Sequence, residues 1–263
     1  MISLRNLVKR FGDVTAVDEV SLEVAPGEFF AVLGPNAAGK TTTIKMLVGL
    51  MRPTGGSVVV AGYDIQQEPL EARRRLAYVP DFPFLYDKLT PAEFLRFTAD
   101  IFRLPPESVR PALDELVPRF DLGPYLDRPI ESLSHGTRQR VAIVSALLHA
   151  PEVFVLDEPM VGLDPQHTRV LKDVLKERSR RGMTVFLSTH QLGIAEEMAD
   201  RIGIMHRGRL VAVGTREELR ARSGGHEALE RVFLAITSED QAAPAGSVKS
   251  ADGRVTTPIV EGG

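Results

Sequence analysis

The sequence predicts an α/β protein, and three observations support this fold class. Short apolar runs rich in β-branched residues alternate with stretches in which apolar residues recur at helical spacing. One such unit is a strand at 28–33, a glycine-rich loop that starts at Gly34, and a helix at 41–50 that ends before Pro53. The third observation is a central segment with helical patterns and few strand signals. Further strands are predicted at 20–24, 57–61, 76–80, 153–157, 184–188, 202–205 and 210–213.

The predicted elements divide the chain into a core, an insertion and a C-terminal part. The core comprises residues 1–82 and 151–220, and the insertion at 83–150 is a helical subdomain. A helical extension is predicted at 221–240. Residues 241–263 are rich in Ala, Gly, Ser, Thr, Pro and Val without apolar periodicity, which is typical of a flexible tail. The helical patterns of the insertion lie at 91–102, 106–119 and 137–149.

Composition and charge exclude several classes of protein. Hydrophobic residues make up 43% and charged residues 25% of the chain, which allows a sizeable buried core. The 32 basic and 35 acidic residues give a net charge of -3, so no nucleic-acid partner is expected, although a local basic patch is compatible with this balance. Because the chain contains no cysteine, disulfides and thiolate metal sites are excluded. This usage is compatible with the cytosol.

Neither export nor a membrane span is predicted. Residues 1–11 carry three basic side chains and lack the apolar core of a signal peptide. No run approaches the roughly 18 to 20 apolar residues that a spanning helix needs. The most apolar stretch, at 141–150, is too short and is interrupted by polar residues. We therefore expect a cytoplasmic protein that reaches a membrane through a partner.

The loop at 34–41, GPNAAGKT, matches the phosphate-loop pattern G-x-x-x-x-G-K-[ST]. In such a loop, backbone N–H groups and the N-terminus of the next helix bind phosphates. Lys40 would hold the β and γ phosphates, Thr41 would supply a hydroxyl to Mg²⁺, and Thr42 would contact an α-phosphate oxygen. A glycine turn with an incidental lysine is the alternative, and a strand before the loop and a helix after it argue against this alternative. The predicted ligands are ATP and Mg²⁺, bound by Gly34, Pro35, Asn36, Ala37, Ala38, Gly39, Lys40, Thr41 and Thr42.

Two carboxylates, Asp157 and Glu158, end the apolar strand predicted at 153–157. Hydrolysis of a phosphoanhydride needs a metal-holding carboxylate and a base that polarises the attacking water. Asp157 is assigned to Mg²⁺ or its water, and Glu158 is assigned as the base. An apolar run that ends in Asp-Glu is common at strand ends, so this interpretation depends on the neighbouring phosphate loop.

The segment LSHGTRQR at 133–140 opens a predicted helix, with Ser134 as a suitable cap and Gly136 allowing close approach of a ligand to the backbone. It resembles the L-S-G-G-Q signature of ATP-binding cassette ATPases. The other elements of that family follow in order: GLDP at 162–165 resembles the D-loop, and LSTH at 187–190 resembles the switch region. Phe11 resembles the aromatic residue of the A-loop, which stacks on adenine.

This resemblance, which covers about residues 2–220, implies a fold and a set of partners. The implied fold is a P-loop NTPase (RecA-like) core with an N-terminal antiparallel β-subdomain and the inserted helical subdomain. His190 would contact the γ-phosphate and help to position water, and Asp164 would link the two sites of a dimer. In that dimer, Ser134, His135 and Gly136 of one subunit would close over the phosphate loop of a second subunit. The second subunit would be a second copy or a close paralogue.

The sequence departs from the family pattern at several positions. Ala37 stands where glycine is usual, which predicts mild strain if its φ is positive. In the signature, His135 replaces a glycine and Thr137 replaces the glutamine. Asp81 stands where most members carry a glutamine that senses Mg²⁺ and the attacking water. Asp81 could ligate Mg²⁺ through its carboxylate, or it could cap the next turn without a catalytic part.

Aromatic residues follow Asp81, and they carry a second prediction. Phe82, Phe84 and Tyr86 are expected to form a surface on which a cytoplasmic helix of a membrane partner docks; packing of these rings in the core is the alternative.

The resemblance implies the ATP-hydrolysing subunit of a transporter, bound at the inner face of the membrane to separate polytopic permease subunits. Export is the expected direction, because segments 214–219 and 228–233 resemble the ending of bacterial exporter-like (ABC-2 type) members. One alternative is a soluble cassette ATPase that acts on nucleic acid or ribosomes, but the chain has no long coiled-coil insertion and no second cassette. Another is a scaffold that binds ATP without turnover, against which Glu158 and His190 argue.

Overall fold

Residues 1–223, the part of the chain that the structure, a computed structural model, describes, contain two β-sheets, eight α-helices and two short 3₁₀ helices. The strands are β1 Ile2–Phe11, β2 Val14–Val24, β3 Phe29–Leu33, β4 Gly55–Val60, β5 Tyr63–Asp64, β6 Leu76–Val79, β7 Val153–Asp157, β8 Thr184–Thr189, β9 Arg201–His206 and β10 Arg209–Gly214. The helices are α1 Lys40–Leu47, α2 Pro69–Arg74, α3 Pro91–Ile101, α4 Pro106–Arg119, α5 His135–Leu147, α6 Pro165–Arg180, α7 Leu192–Met198 and α8 Arg216–Ser223.

The larger sheet has six strands in the order β10-β9-β3-β8-β7-β6, and all neighbours are parallel except β9 and β10. Its central strands β3 and β7 are buried along their whole length. Alternate side chains enter different cores: Phe154 packs with the helical insertion, whereas Val155 packs with α1 and the second sheet. Burial on both faces explains why these strands are continuous apolar runs in the sequence.

The smaller sheet is antiparallel, in the order β2-β1-β4-β5, and forms the N-terminal subdomain. Its central long strand, β1, is not predicted from the sequence pattern. Register shifts interrupt β1 between Leu4 and Leu7, where Asn6 adopts a φ of 46°. Such a bulge breaks the alternation of apolar and polar residues by which a strand is recognised.

Helices α3, α4 and α5 lie between β6 and β7, within the predicted insertion at 83–150. Thr90 and Glu93 form a capping box at the start of α3, which satisfies two backbone N–H groups there. Ser134 caps α5, and the helix therefore starts two residues before the predicted residue 137. Most of the predicted extension at 221–240, and all of the predicted tail at 241–263, lie outside the described residues.

The carboxyl ends of β3, β8 and β7 meet at one edge of the larger sheet, with β8 between the other two. In the parallel register, Leu33 pairs with Thr189, and Asp157 pairs with Ser188. The residues that follow these strands are therefore neighbours in space although they are distant in the sequence. Ligands of open α/β sheets bind at this edge.

Candidate nucleotide-binding and catalytic site

The phosphate loop joins β3 to α1, and both of its motif glycines are required by packing. A Cβ on Gly34 would lie 2.4 Å from the carbonyl oxygen of Met205. Gly39 has a φ of +101°, and a Cβ there would lie 2.5 Å from the carbonyl oxygen of Ala16. Backbone atoms of β9 and β2 thus lie in contact with the phosphate loop. A larger residue at position 34 or 39 would displace the loop.

Within the loop, Ala37 adopts a φ of 63°, so the positive φ considered in the sequence analysis is observed. A non-glycine residue in this region carries a small conformational cost. The next residue, Ala38, accepts a hydrogen bond from the backbone N–H of Gly208 at 2.9 Å, which ties the loop to the turn between β9 and β10. The loop is therefore held in place by contacts within the chain.

Lys40, the first residue of α1, is buried and points back into the loop. Its Nζ donates to the carbonyl oxygens of Gly34 at 2.7 Å and Pro35 at 3.0 Å, and lies 3.8 Å from Oε1 of Glu158. Burial lowers the pKa of Lys40, and the charges of Glu158 and Asp157 act in the opposite direction. A buried ammonium group beside two carboxylates can neutralise the charge of bound phosphates.

Thr41 and Asp157 bring the two halves of the predicted metal site together. The Thr41 hydroxyl donates to Oδ2 of Asp157 at 2.7 Å. The other oxygen, Oδ1, is buried without a hydrogen-bond partner. A buried carboxylate oxygen left unpaired beside a hydroxyl fits the oxygen ligands that Mg²⁺ prefers. Within residues 1–223, no group of three or more acidic or histidine side chains is arranged to hold a metal ion without other ligands.

Glu158 and His190 follow β7 and β8 and meet at the sheet edge. Nδ1 of His190 lies 2.9 Å from Oε1 of Glu158, close enough for an ion pair when the imidazole is protonated. The contact lacks hydrogen-bond geometry, and this buried Oε1 accepts no hydrogen bond. Glu158 has a φ of 48°, and its backbone N–H donates to the carbonyl oxygen of Ser188. A carboxylate oxygen that lies beside cations but accepts no hydrogen bond can still accept a proton.

A cavity of about 200 Å³ contains most of these groups. Its walls include Asp81, whose Oδ1 accepts a hydrogen bond from the backbone N–H of Phe82 at 2.8 Å. Both predicted roles of Asp81 are therefore compatible with its position: it stabilises the turn that follows β6, and it faces the phosphate cavity. The cavity is lined by Ala16, Pro35, Asn36, Ala37, Ala38, Gly39, Lys40, Thr41, Thr42, Asp81, Asp157 and Glu158.

The signature residues lie at the start of α5 and are not among the residues that line this cavity. The Ser134 side chain accepts from the backbone N–H of Thr137 at 3.2 Å, as an N-cap does. His135 stacks on Phe82, with ring centroids 5.5 Å apart. A Cβ on Gly136 would lie 2.5 Å from the carbonyl oxygen of Gly162. Glycine at 136 is thus required by a neighbour in the same chain.

The remaining predicted residues occupy exposed positions. Asp164 caps α6, because its Oδ1 accepts from the backbone N–H of His167 at 2.9 Å. This bond and the contact of Oδ2 with the His167 ring lower the pKa of Asp164. Phe11, at the end of β1, is 47% exposed, and the Lys9 ammonium lies 5.1 Å from its ring centroid. Phe11 is not among the residues that line the phosphate cavity.

Sequence reasoning missed two buried side chains beside the signature and the D-loop. Arg140 donates through Nη2 to the Thr137 hydroxyl at 3.0 Å, and its Nη1 lies 2.9 Å from Nε2 of His167. Nδ1 of His167 lies 2.6 Å from Oδ2 of Asp164. The spacing of three residues from Thr137 to Arg140, and from Asp164 to His167, is the signal that could have indicated contacts on one helix face.

The sheet order and the phosphate loop define the class of protein as a P-loop NTPase. A family model described as "ABC transporter" matches residues 17–161. The chain is 35% identical over 236 residues to the linearmycin resistance ATP-binding protein LnrL of Bacillus subtilis, covering 90% of this chain and 76% of LnrL. The chain belongs to the ABC transporter family.

Another relative and two solved structures agree with this assignment. The probable multidrug ABC transporter ATP-binding protein YbhF of Escherichia coli is 35% identical over 90% of this chain, but the chain spans only 41% of the length of YbhF. A structure described as the ATP-binding subunit of an ABC transporter has a TM-score of 0.86 at 34% identity and covers 90% of this chain and 99% of its own. A dimeric post-hydrolysis state of the ATP-binding cassette MJ0796 with ADP and phosphate has a TM-score of 0.72 at 26% identity, covering 82% and 98%. The predicted fold and the predicted family are confirmed.

Proposed function

We propose that this chain hydrolyses ATP within a dimer and thereby drives substrate export by separate membrane permease subunits. The observation that carries the enzymatic part is the cluster of Lys40, Thr41, Asp157, Glu158 and His190 at one sheet edge, with unpaired oxygens on Asp157 and Glu158. A scaffold without turnover would not need an unpaired base beside the phosphate cavity. The export part is supported by relatives whose names refer to drug resistance.

In the proposed reaction the phosphate loop holds ATP and the strand ends act on the γ-phosphate. The Lys40 ammonium exchanges part of its contact with loop carbonyls for β and γ phosphate oxygens. Backbone N–H groups at the start of α1 bind the phosphates. The Phe11 ring stacks on adenine at the edge of the smaller sheet. These contacts fix the γ-phosphorus in front of Glu158.

Hydrolysis then needs an attacking water and a proton acceptor. Glu158 accepts a proton from a water that lies in line with the bond to be broken, and that water's oxygen forms a bond to the γ-phosphorus. The bond between the γ-phosphorus and the bridging oxygen breaks, and its electron pair stays with ADP. His190, in contact with Glu158, holds the carboxylate toward this water and contacts the γ-phosphate. The products are ADP and inorganic phosphate.

Mg²⁺ is the proposed metal, held by the Thr41 hydroxyl and by the unpaired Oδ1 of Asp157. The ion would neutralise charge on the β and γ phosphate oxygens. Asp81, which faces the same cavity, is the additional candidate ligand.

The proposed active unit contains two ATP-binding subunits, either two copies or this chain with a close paralogue. Ser134 and Asp164 are exposed and are absent from the walls of the phosphate cavity. In the proposed dimer, Ser134, His135 and Gly136 of one subunit cover the phosphate loop of the other, and Asp164 lies between the two sites. The dimeric state of the similar MJ0796 cassette supports a dimer as the active unit.

A surface beside the signature supports a permease partner. Phe82, Phe84 and Tyr86 are exposed, and Phe84 is 86% exposed. An apolar cavity of about 570 Å³ is lined by Phe84 and Tyr86 together with residues of α3 and α5. Exposed aromatic rings at the rim of an apolar groove suit an amphipathic helix of a partner. No helix within residues 1–223 is long and apolar enough to cross a membrane. The proposed location is the inner face of the membrane, where the protein binds the permease through this surface.

The test uses Glu158→Gln, which keeps the shape of the side chain and removes the base. We expect ATP binding to persist and the turnover rate to fall by a factor of about 10² to 10⁴. Release of phosphate and binding of a fluorescent ATP analogue are measured on the same preparations, with ribosomes or DNA added in parallel samples. A variant with undiminished turnover would exclude Glu158 as the base. Stimulation by ribosomes or DNA, without co-purification of a permease, would favour the soluble ATPase.

A further inference from the structure

Five side chains form a continuous polar chain from the D-loop to the signature. This polar chain starts at Asp164 and passes through His167, Arg140 and Thr137 to Ser134. The polar atoms of each neighbouring pair of side chains are 2.6 to 3.0 Å apart. The three middle residues are buried, whereas Asp164 and Ser134 are exposed. A buried polar chain with two exposed ends requires an explanation, because burying polar groups is costly unless all of them are paired.

The direction of each hydrogen bond follows from Arg140, which can only donate. Nε2 of His167 must therefore accept from Nη1 of Arg140, so the imidazole proton resides on Nδ1 and is donated to Oδ2 of Asp164. The carbonyl oxygens of Phe120 and Asp121 also accept from Nη1, so one of its two protons is shared between two of the three acceptors. The guanidinium group is thus fixed between the helical insertion and the D-loop.

On its other side, Arg140 determines what the Thr137 hydroxyl can do. Oγ1 of Thr137 accepts from Nη2 of Arg140 and lies 2.9 Å from Oγ of Ser134. The Thr137 hydroxyl is buried, and the Ser134 oxygen, 2.9 Å away, can accept its proton. Ser134 is exposed and can donate elsewhere. Pairing every buried donor therefore makes Thr137 the donor and Ser134 the acceptor.

Ser134 then has one orientation left for its own proton. Its oxygen accepts from the Thr137 hydroxyl at 2.9 Å and from the Thr137 backbone N–H at 3.2 Å. Both of these donors come from the helix side, so the Ser134 proton is directed away from the helix and toward the exposed face. A hydroxyl already oriented as a donor costs less to reorganise when an anionic ligand arrives.

We propose that Thr137 is a positioning residue that sets the Ser134 hydroxyl as a hydrogen-bond donor to the ATP held by the second subunit. This inference rests on the proposed function, because it assigns a role at the interface between the two subunits. Thr137 occupies the position at which the family pattern has glutamine, so the contact between Thr137 and Ser134 is specific to the sequence of this protein. His167 and Asp164 extend the row of polar side chains to the D-loop and hold Arg140 in place.

The test is a double-mutant cycle on the full chain, built from Thr137→Val and Ser134→Ala. Valine has nearly the shape of threonine but cannot donate, and Thr137→Ser is the matched control that keeps the hydroxyl. We expect Thr137→Val to lower kcat for ATP hydrolysis about tenfold, as the loss of one hydrogen bond to a charged group does. Thr137→Ser should stay within about twofold of the wild type, since it retains that hydrogen bond.

The cycle separates a positioning role from a merely structural one. If Thr137 acts through Ser134, then Thr137→Val causes no further loss of kcat once Ser134→Ala is present. Thr137→Val removes the acceptor of Nη2 of Arg140 and can therefore lower thermal stability. This loss should be the same with Ser134 and with Ser134→Ala. Losses of kcat that multiply in the double variant would overturn the proposal, as would equal kcat values for Thr137→Val and Thr137→Ser.

A second measurement keeps failure of this inference distinct from failure of the proposed function. ATP-dependent dimerisation of Glu158→Gln is followed by size-exclusion chromatography, with and without Thr137→Val. We expect Thr137→Val to raise the ATP concentration at half-maximal dimerisation about tenfold, for the same reason as above. If Glu158→Gln never dimerises and the wild type does not hydrolyse ATP, the proposed function itself is wrong. If Glu158→Gln dimerises with ATP and the wild type hydrolyses ATP, but Thr137→Val changes neither dimerisation nor turnover, only the role of Thr137 is wrong.

Discussion

The phosphate loop and the signature segment are both rich in small residues and both begin a helix, yet their surroundings differ. Lys40 and Asp157 are buried, and each makes contacts within the sheet edge. Ser134 and Asp164 are exposed, although buried residues of the same chain hold them from behind. The phosphate loop lines a cavity that is formed within one chain. The signature segment is an exposed surface that no other part of residues 1–223 covers.

This difference indicates two ways in which a chain can prepare a ligand contact. In the proposed function, backbone groups of the phosphate loop surround the ATP phosphates, so the loop's own conformation sets affinity. In the proposed dimer, the Ser134 hydroxyl is oriented by buried side chains and acts on ATP that the second subunit holds. Substitutions in the two regions should therefore act on different quantities, which are ATP binding by the single subunit in the first and dimerisation and turnover in the second.

The largest effect is expected from Gly39→Ala. The new Cβ would lie 2.5 Å from the Ala16 carbonyl oxygen, at a φ of +101° that only glycine adopts readily. Strain of about 2 kcal/mol or more should shift the loop out of its binding conformation and lower ATP affinity by at least about 30-fold. Isothermal titration calorimetry with ATP and Mg²⁺ measures this change.

Ala37→Gly is the matched control in the same loop. Ala37 has a φ of 63°, so glycine relieves strain of about 1 kcal/mol and should leave ATP affinity unchanged or slightly higher. If both substitutions weaken binding to the same extent, the loop is sensitive to any change and the argument from its conformation is wrong.

The sequence predicted the phosphate-loop region well because strand ends and loop chemistry are local signals. The run at 153–157 was predicted with the same bounds that β7 has, and the helix at 106–119 matches α4. Buried parallel strands are continuous apolar runs, so Asp157 and Glu158 stand out where the run ends. Because neighbouring parallel strands end at the same edge of the sheet, Asp157 and Glu158 are then expected beside the phosphate loop.

The polar chain behind the signature could not be predicted in the same way. Arg140 lies on a helix and His167 lies on another, and their contact depends on how α5 packs beside α6. The first strand was missed for a different reason, since a bulge at Asn6 interrupts its alternation. Contacts that depend on packing between elements leave no pattern in a single sequence.

His149 is held between β6 and Phe102, and it should make stability depend on pH. It follows α5 and lies 3.3 Å, through Nε2, from the carbonyl oxygen of Leu76 in β6. Its ring stacks on Phe102 at a centroid distance of 3.9 Å. Burial lowers the pKa of His149 from 6.5 to about 4, although the contact with Leu76 acts in the opposite direction.

The sign of the effect follows from this lowered pKa. Between pH 6.5 and 4 the unfolded chain binds a proton at His149 and the folded chain does not, so stability falls as the pH decreases. From pH 8 to pH 5 we expect the free energy of unfolding to decrease by about 2 kcal/mol from this residue. Urea unfolding of the wild type and of His149→Phe measures the difference. Equal pH dependence in the two proteins would contradict the assignment.

A smaller effect is expected where the signature meets the aromatic surface. His135 stacks on Phe82 at 5.5 Å, and such pairs contribute about 0.5 to 1.5 kcal/mol. His135→Ala should therefore lower the free energy of unfolding by about 1 kcal/mol, and His135→Phe should restore most of it. Thermal unfolding of Phe82→Leu with and without His135→Ala checks the contact. Additive losses in that pair of variants would show that the two rings do not interact.

The smallest effect is expected from Asp81→Asn, which tests the residue that joins the phosphate cavity to the aromatic surface. The amide oxygen of asparagine can accept the bond that Oδ1 of Asp81 accepts from the Phe82 backbone N–H at 2.8 Å. If the turn is the role of Asp81, the turnover rate stays within about twofold and half-saturation by Mg²⁺ is unchanged, because that bond is retained. Asp81→Ala should then affect stability more than Asp81→Asn does.

If Asp81 ligates Mg²⁺, both variants should need more Mg²⁺ for half-maximal hydrolysis, since a neutral amide binds the ion more weakly than a carboxylate. Titrations of Mg²⁺ at saturating ATP distinguish the two roles, because the loss of a turn does not change the dependence on metal concentration.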